Sequence, residues 1–217
     1  MDGKSVTEPS FATVLGRYGE LSEGCGSYGV SEFASKLKKL KRNYFSILSQ
    51  NVRSLNTNFE SLESFLREIN ETNETFLFSV IAVQETWQIQ TQYNIPNYQK
   101  LIARTRKQVD ARTKKLVNGG GVGFFVREGI DFEVIETASK FEERVHESLF
   151  IRLKFEGGKG IIIGNVYRPN TYPYENITRS LSLTLNSIDE VRSRFSKDIV
   201  ILVGDFNLDL ANILDND

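Results

Sequence analysis

At 217 residues, 40% apolar and 11% aromatic, the chain is long enough for one domain with a substantial core and too aromatic to be disordered throughout. A net charge of −1 supplies no global attraction to nucleic acid, so phosphate binding has to come from local patches. A single cysteine excludes an internal disulfide framework and a Cys-rich zinc site, no apolar run approaches the roughly 18 residues that span a bilayer, and Met1-Asp2-Gly3-Lys4-Ser5 lacks a signal-peptide apolar region. The expectation is a soluble, intracellular protein that is neither secreted nor held in a membrane.

Residues 1–42 carry Gly16, Gly19, Gly24, Gly26 and Gly29 among scattered Ser and Glu without a sustained period, and are read as a flexible leader to a domain over 43–217. Lys36, Lys38, Lys39, Lys41 and Arg42 form a basic cluster just before the first strand, which Phe45 to Arg53 describe with Asn51 at the tip. Thr57-Asn58-Phe59-Glu60 has the spacing of a capping box, and Phe59, Leu62, Phe65, Leu66 and Ile69 follow at helical intervals. Phe78 to Trp87 read as a buried strand ending in Glu85. Arg104, Arg106, Lys107, Arg112, Lys114 and Lys115 then fill a loop opposed only by Asp110; such runs are often solvated faces, but this one joins two strands near the expected substrate face.

Gly119 to Val126 read as a strand entered through glycines, with neither the following Lys-Ser/Thr nor the glycine spacing of a phosphate-cradling loop. Strands follow near Ser148–Phe155 and Gly160–Tyr167, joined by a hairpin turn at Glu156-Gly157-Gly158-Lys159, with Tyr167 and Arg168 at the end of the second. Ile177, Leu181, Leu185, Ile188, Val191 and Phe195 share one apolar helical face, read as core. Ile199 to Val203 form a last apolar strand that breaks at Gly204 and carries Asp205 and Asn207 two residues apart.

Many α/β proteins end a strand in Gly-Asp only to cap the next helix. Here four apolar strands each end in a polar side chain, and open α/β folds gather such ends on one rim. Glu85 is a hard oxygen ligand suited to Mg²⁺, which binds through one or two carboxylates plus substrate phosphate oxygens. Asp205 is placed as a general base for water, Asn51 and Asn207 as groups that orient ligands, and Tyr167 with Arg168 as contacts for a phosphate.

The order Asn-Val-Arg-Ser-Leu, Gln-Glu-Thr-Trp, Gly-Gly-Gly-Val-Gly-Phe-Phe-Val, Val-Tyr-Arg-Pro, Gly-Asp-Phe-Asn resembles the endonuclease/exonuclease/phosphatase superfamily. More narrowly, it is similar to the apurinic-endonuclease-like domain of non-LTR (LINE-type) retrotransposons, from about Tyr44 to the last residues. The resemblance implies a four-layer α/β-sandwich, two β-sheets flanked by helices, truncated before the last strands. It implies a metal-dependent DNA endonuclease that nicks a target site, with Mg²⁺ or Mn²⁺ at Glu85 ordered by Asn51. It assigns catalysis to Asp205, Asn207 and Tyr167; the nucleic-acid contacts expected at the basic loop and Arg168 rest on their charge and their place near the substrate face. DNA is the implied partner, with a reverse transcriptase region in a parent polyprotein and a nuclear site of action. The family's late metal-site Asp and Ser-Asp-His motif are not matched; the only histidine, His146, sits in Arg144-Val145-His146-Glu147-Ser148 and is read as a surface or packing residue. An incomplete site makes a non-catalytic nucleic-acid-binding or interaction remnant the alternative, and a phosphatase for a small phosphorylated substrate ranks last.

Overall fold

The computed structural model describes residues 29, 32–33, 35, 45–73, 77–87, 93–104, 119–155, 157–170 and 175–208. Most of the expected leader lies outside them, as do both basic clusters apart from Arg104; of the leader, Phe33 is half-buried against the hydrophobic cluster under the first helix. In chain order the elements are β1 (Ile47–Asn51), α1 (Leu55–Asn73), β2 (Val80–Gln84), β3 (Ile102–Arg104), β4 (Val122–Val126), β5 (Asp131–Val134), β6 (Phe141–Glu142), β7 (His146–Lys154), β8 (Gly160–Tyr167), α2 (Glu175–Arg194) and β9 (Ile199–Asp205).

Two mixed sheets result, ordered β1-β2-β4-β3 and β5-β7-β8-β9, with β6 paired to β7. Each contains one parallel pair, β1 with β2 and β8 with β9, and all other pairings are antiparallel. A parallel pair needs a crossover, and α1 and α2 supply them. Because parallel strands end on the same side, the crossovers bring Asn51 beside Gln84 in one sheet and Tyr167 beside Asp205 in the other.

Side-chain alternation along the strands builds three apolar layers. Val80 and Ala82 face the second sheet and pack with Phe124, Leu149, Ile151, Leu153 and Ile163, while Ile81 and Val83 face α1 and pack with Leu62, Leu66, Ile69 and Phe125. The third layer joins Phe150 and Ile162 to Val191 of α2. The molecule is therefore an α/β sandwich of two facing sheets with a helix on each outer face, as the resemblance implies. No described helix is long and apolar enough to cross a membrane.

A buried pair of amides ties the two sheets across the apolar space between them. Gln84 and Asn165 are 1% and 0% exposed. Gln84 Nε2 donates to Asn165 Oδ1 at 2.7 Å, and Asn165 Nδ2 donates to the Val83 and Gly123 carbonyls, each at 3.0 Å. Buried amides persist where they are satisfied in this way, and the pair sets the register of one sheet over the other.

Two local expectations are corrected. The helix begins at Leu55, not after a Thr57 cap: Ser54 precedes it, its carbonyl accepts from Asn58 N at 3.0 Å, and its hydroxyl accepts from Thr57 Oγ1 at 3.3 Å. On α2 the sheet-facing residues are Ser180, Thr184, Ser187 and Val191, whereas Leu181 and Leu185 are 41% and 60% exposed. Small hydroxyl side chains suit this face because they also hydrogen-bond: Ser187 Oγ donates to the Ala138 carbonyl at 2.7 Å, and Ser180 Oγ meets His146 Nδ1 at 3.0 Å.

Candidate active site

The Asn51 carboxamide joins the two sheets at the rim. Its Nδ2 donates to Glu85 Oε1 at 2.8 Å and to Asp205 Oδ2 at 2.8 Å, and its Oδ1 accepts from Arg53 N at 3.1 Å. One NH₂ group has two hydrogens, so both carboxylates are satisfied by one nitrogen. Three strand ends from both sheets thereby meet at a single side chain. With its nitrogen facing the carboxylates, Asn51 orients Glu85 and does not itself present an oxygen beside it.

The backbone around this rim is held in uncommon conformations. Arg53 (φ 44), Ser54 (φ 89), Glu85 (φ 52), Trp87 (φ 43) and Asn207 (φ 46) are five of the seven described non-glycine residues with positive φ. Such residues cost of order 1–3 kcal/mol each and collect where surrounding bonds over-determine them. Here those bonds are Ser54 N to the Glu85 carbonyl at 2.7 Å, Leu55 N to the Thr86 carbonyl at 2.9 Å, and Trp87 N to the Gly120 carbonyl at 3.0 Å. The glycines next to the rim are required by close approach: a Cβ on Gly121 would lie 2.2 Å from Thr86 Oγ1, and one on Gly204 (φ +140) 1.8 Å from the Val166 carbonyl oxygen.

Asp205 and Asn207 form a closed turn. Asn207 N donates to Asp205 Oδ1 at 3.0 Å, and Asn207 Nδ2 donates to the Arg168 carbonyl at 2.7 Å. Tyr167, 7% exposed, pairs in register with Asp205 and belongs to the apolar layer between the sheets. Arg168 is 3% exposed, and its guanidinium donates to the Phe206 carbonyl at 2.7 Å, to the Pro169 carbonyl at 3.2 Å and to the Asn207 carbonyl. Burial lowers the pKa of Arg168, and the adjacent Asp205 raises it in part.

Of the residues expected to act, Asn51, Glu85, Tyr167, Asp205 and Asn207 are brought to one rim. Arg104 is turned elsewhere: it donates to the Ser139 carbonyl at 3.1 Å and pairs with Glu136. Arg106, Lys107, Arg112, Lys114 and Lys115 lie outside the described residues. His146 is fully buried under α2, on the opposite face of β7 from the rim-side Glu147; burial pushes its pKa down to about 4, with nearby Glu142 raising it in part. Two rim residues were missed. Arg53 is exposed two residues after Asn51. Glu147, 2% exposed, accepts from Gly121 N; its phase with Leu149, Ile151 and Leu153, which face the first sheet, was the available signal.

The donor set suits a cation. Two carboxylates are held close by a neutral amide, and among the described residues neither forms a salt bridge. No described group of three or more His, Cys, Asp or Glu gathers there, so a cation at Glu85 would complete its shell with water and substrate oxygens, as Mg²⁺ does.

A two-sheet sandwich with a carboxylate–carboxamide rim at the ends of its parallel strands is a nuclease- or hydrolase-type fold. The profile of the Endonuclease/Exonuclease/phosphatase family matches residues 48–215, and the chain belongs to that family, whose enzymes generally use divalent metal ions. Among solved structures, it is similar to a humanized D. rerio TDP2 carrying 14 mutations (21% identity, TM-score 0.53, covering 79% of this chain and 69% of that one). It is also similar to the human Nocturnin catalytic domain with bound sulfate anion (14% identity, TM-score 0.53, 78% and 66%) and to TDP2 from C. elegans (15% identity, TM-score 0.52, 90% and 58%). At these identities the likeness concerns the fold. No curated protein matches the chain.

Proposed function

We propose that the chain is a metal-dependent phosphodiesterase that nicks DNA, of the kind found as the endonuclease domain of LINE-type retrotransposon polyproteins. The observation that carries the reading is the Asn51 nitrogen 2.8 Å from both Glu85 and Asp205. Bound at Glu85, Mg²⁺ or Mn²⁺ would polarise the scissile phosphate and stabilise the leaving oxygen. Asp205 accepts a proton from the attacking water: each of its oxygens already receives one hydrogen bond and keeps a lone pair for another. As that proton moves to Asp205, the water oxygen bonds to phosphorus and the bond to the in-line leaving oxygen breaks. Asn207, fixed by its bonds to Arg168 and Asp205, offers its remaining amide hydrogen to the phosphate, and Tyr167 supports it from the neighbouring strand end. The retrotransposon assignment, with an attached reverse transcriptase region, is supported by the Gln-Glu-Thr-Trp and Val-Tyr-Arg-Pro contexts.

The test is relaxation of supercoiled plasmid. Nicking is expected with Mg²⁺ or Mn²⁺, none in EDTA, and a drop of roughly 10²-fold or more in Glu85→Ala and Asp205→Ala. Equal nicking by Glu85→Ala sinks the assignment. One observation favours the second reading, a domain that binds nucleic acid without cutting it: the chain's single histidine is buried under α2 and takes no part in the rim. That reading expects DNA affinity that is independent of metal and falls with salt, without nicking.

A further inference from the structure

We propose that Arg168 is a positioning residue that clamps the Asp205–Asn207 turn in its working geometry, and is not a contact to the nucleic-acid backbone. The inference rests on the reading of Asp205 and Asn207 as the groups that act on water and phosphate.

A guanidinium that meets a substrate phosphate needs exposed donors, and Arg168 is 3% exposed. Its Nε, one Nη and the other Nη donate to the carbonyls of Phe206, Pro169 and Asn207. Its backbone adds two further ties: Arg168 N donates to the Asp205 carbonyl at 2.9 Å, and its carbonyl accepts Asn207 Nδ2 at 2.7 Å. Arg168 and Asn207 therefore hold each other reciprocally, side chain to backbone in both directions. The turn needs such a clamp because β9 ends at Asp205, leaving Phe206 and Asn207 without ladder partners, and Asn207 sits at φ 46. A planar fork with five fixed donors can satisfy several carbonyls of one turn at once, and an ammonium cannot reproduce that geometry. With its nitrogen tied to Arg168, Asn207 has its rotamer set before substrate arrives, as precise sites require.

The experiment compares wild-type chain with Arg168→Lys, which keeps the charge and loses the fork. Three readouts are used: single-turnover nicking of supercoiled plasmid with Mg²⁺, salt-dependent anisotropy of a fluorescein-labelled DNA duplex in EDTA, and hydrogen exchange at the Phe206 and Asn207 amides. A clamp gives a nicking rate about tenfold or more lower at saturating DNA, an unchanged duplex affinity and salt slope, and faster exchange at Phe206 and Asn207. A backbone contact gives the opposite: weaker duplex binding with a salt slope changed by about one, a normal saturated rate and unchanged exchange, and that result overturns the proposal. Wild-type behaviour of Arg168→Lys in all three also overturns it. If wild-type chain does not nick, the proposed function fails on its own; exchange then decides the clamp, with unchanged protection in Arg168→Lys refuting it and lost protection supporting it.

Discussion

Replacing Asn165 by Leu keeps the branch at Cγ and removes the polar atoms that Asn165 brings to the tie between the sheets. Three hydrogen bonds disappear, one from Gln84 Nε2 and two to the Val83 and Gly123 carbonyls. At about 1 kcal/mol net for each, the loss is about 3 kcal/mol. Gln84 keeps its bond to Ser49 Oγ at 3.2 Å but has its second N–H stranded at 1% exposure, which adds about 1–2 kcal/mol. Urea denaturation should therefore show a loss of about 4–5 kcal/mol at constant m-value, a large fraction of a typical domain's stability. Gln84→Met removes the stranded donor, so the double variant should cost less than the sum of the two single changes by about 1–2 kcal/mol. A loss under about 1 kcal/mol for Asn165→Leu, or strict additivity in the cycle, would refute the reasoning that this pair fastens the sheets.

His146 is neutral in its buried site, with its pKa pushed down to about 4 from 6.5, so only the unfolded chain gains a proton between those values. Its contribution is complete above pH 6.5 and is lost as pH falls toward 4, amounting to at most about 3 kcal/mol. Denaturation from pH 7 to 4 should show this slope, and His146→Leu should flatten it; an equal slope in both proteins would contradict the assignment. Gly204→Ala forces a Cβ against the Val166 carbonyl at φ +140, where neither backbone can yield cheaply, so a loss of about 3 kcal/mol or more is expected in the same assay. A loss within about 0.5 kcal/mol would show that the turn is not held as described.

β2 and β8, buried along nearly their whole length, were legible as apolar runs ended by a polar residue. β1 and β9 lie at the sheet edges and are only part-buried; β9 still reads as an apolar run up to Gly204, and β1 was found from a shorter apolar stretch ending in Asn51. β3, β5 and β6, of 3, 4 and 2 residues, are too short to show a period. The apolar period of α2 pointed to Leu181 and Leu185 because periodicity counts apolar side chains, while the buried face carries Ser180, Thr184 and Ser187, whose hydroxyls meet His146, the Ser180 carbonyl of the same helix and the Ala138 carbonyl. Which of the arginines face outward was not legible. Arg168 and Arg104 look alike as free cations in sequence, and only the fold shows one enclosed by carbonyls and the other paired with Glu136.

The most direct measurement is a titration of Mn²⁺ into the chain followed by electron paramagnetic resonance, beside Glu85→Gln, which keeps the size of the side chain and removes its charge. A metal site at Glu85 predicts saturable binding to wild type that weakens about tenfold or more in Glu85→Gln, with the fold unchanged by circular dichroism. Equal Mn²⁺ affinity in the two proteins, or no binding to wild type in the presence of DNA, would contradict a metal-dependent site on this rim.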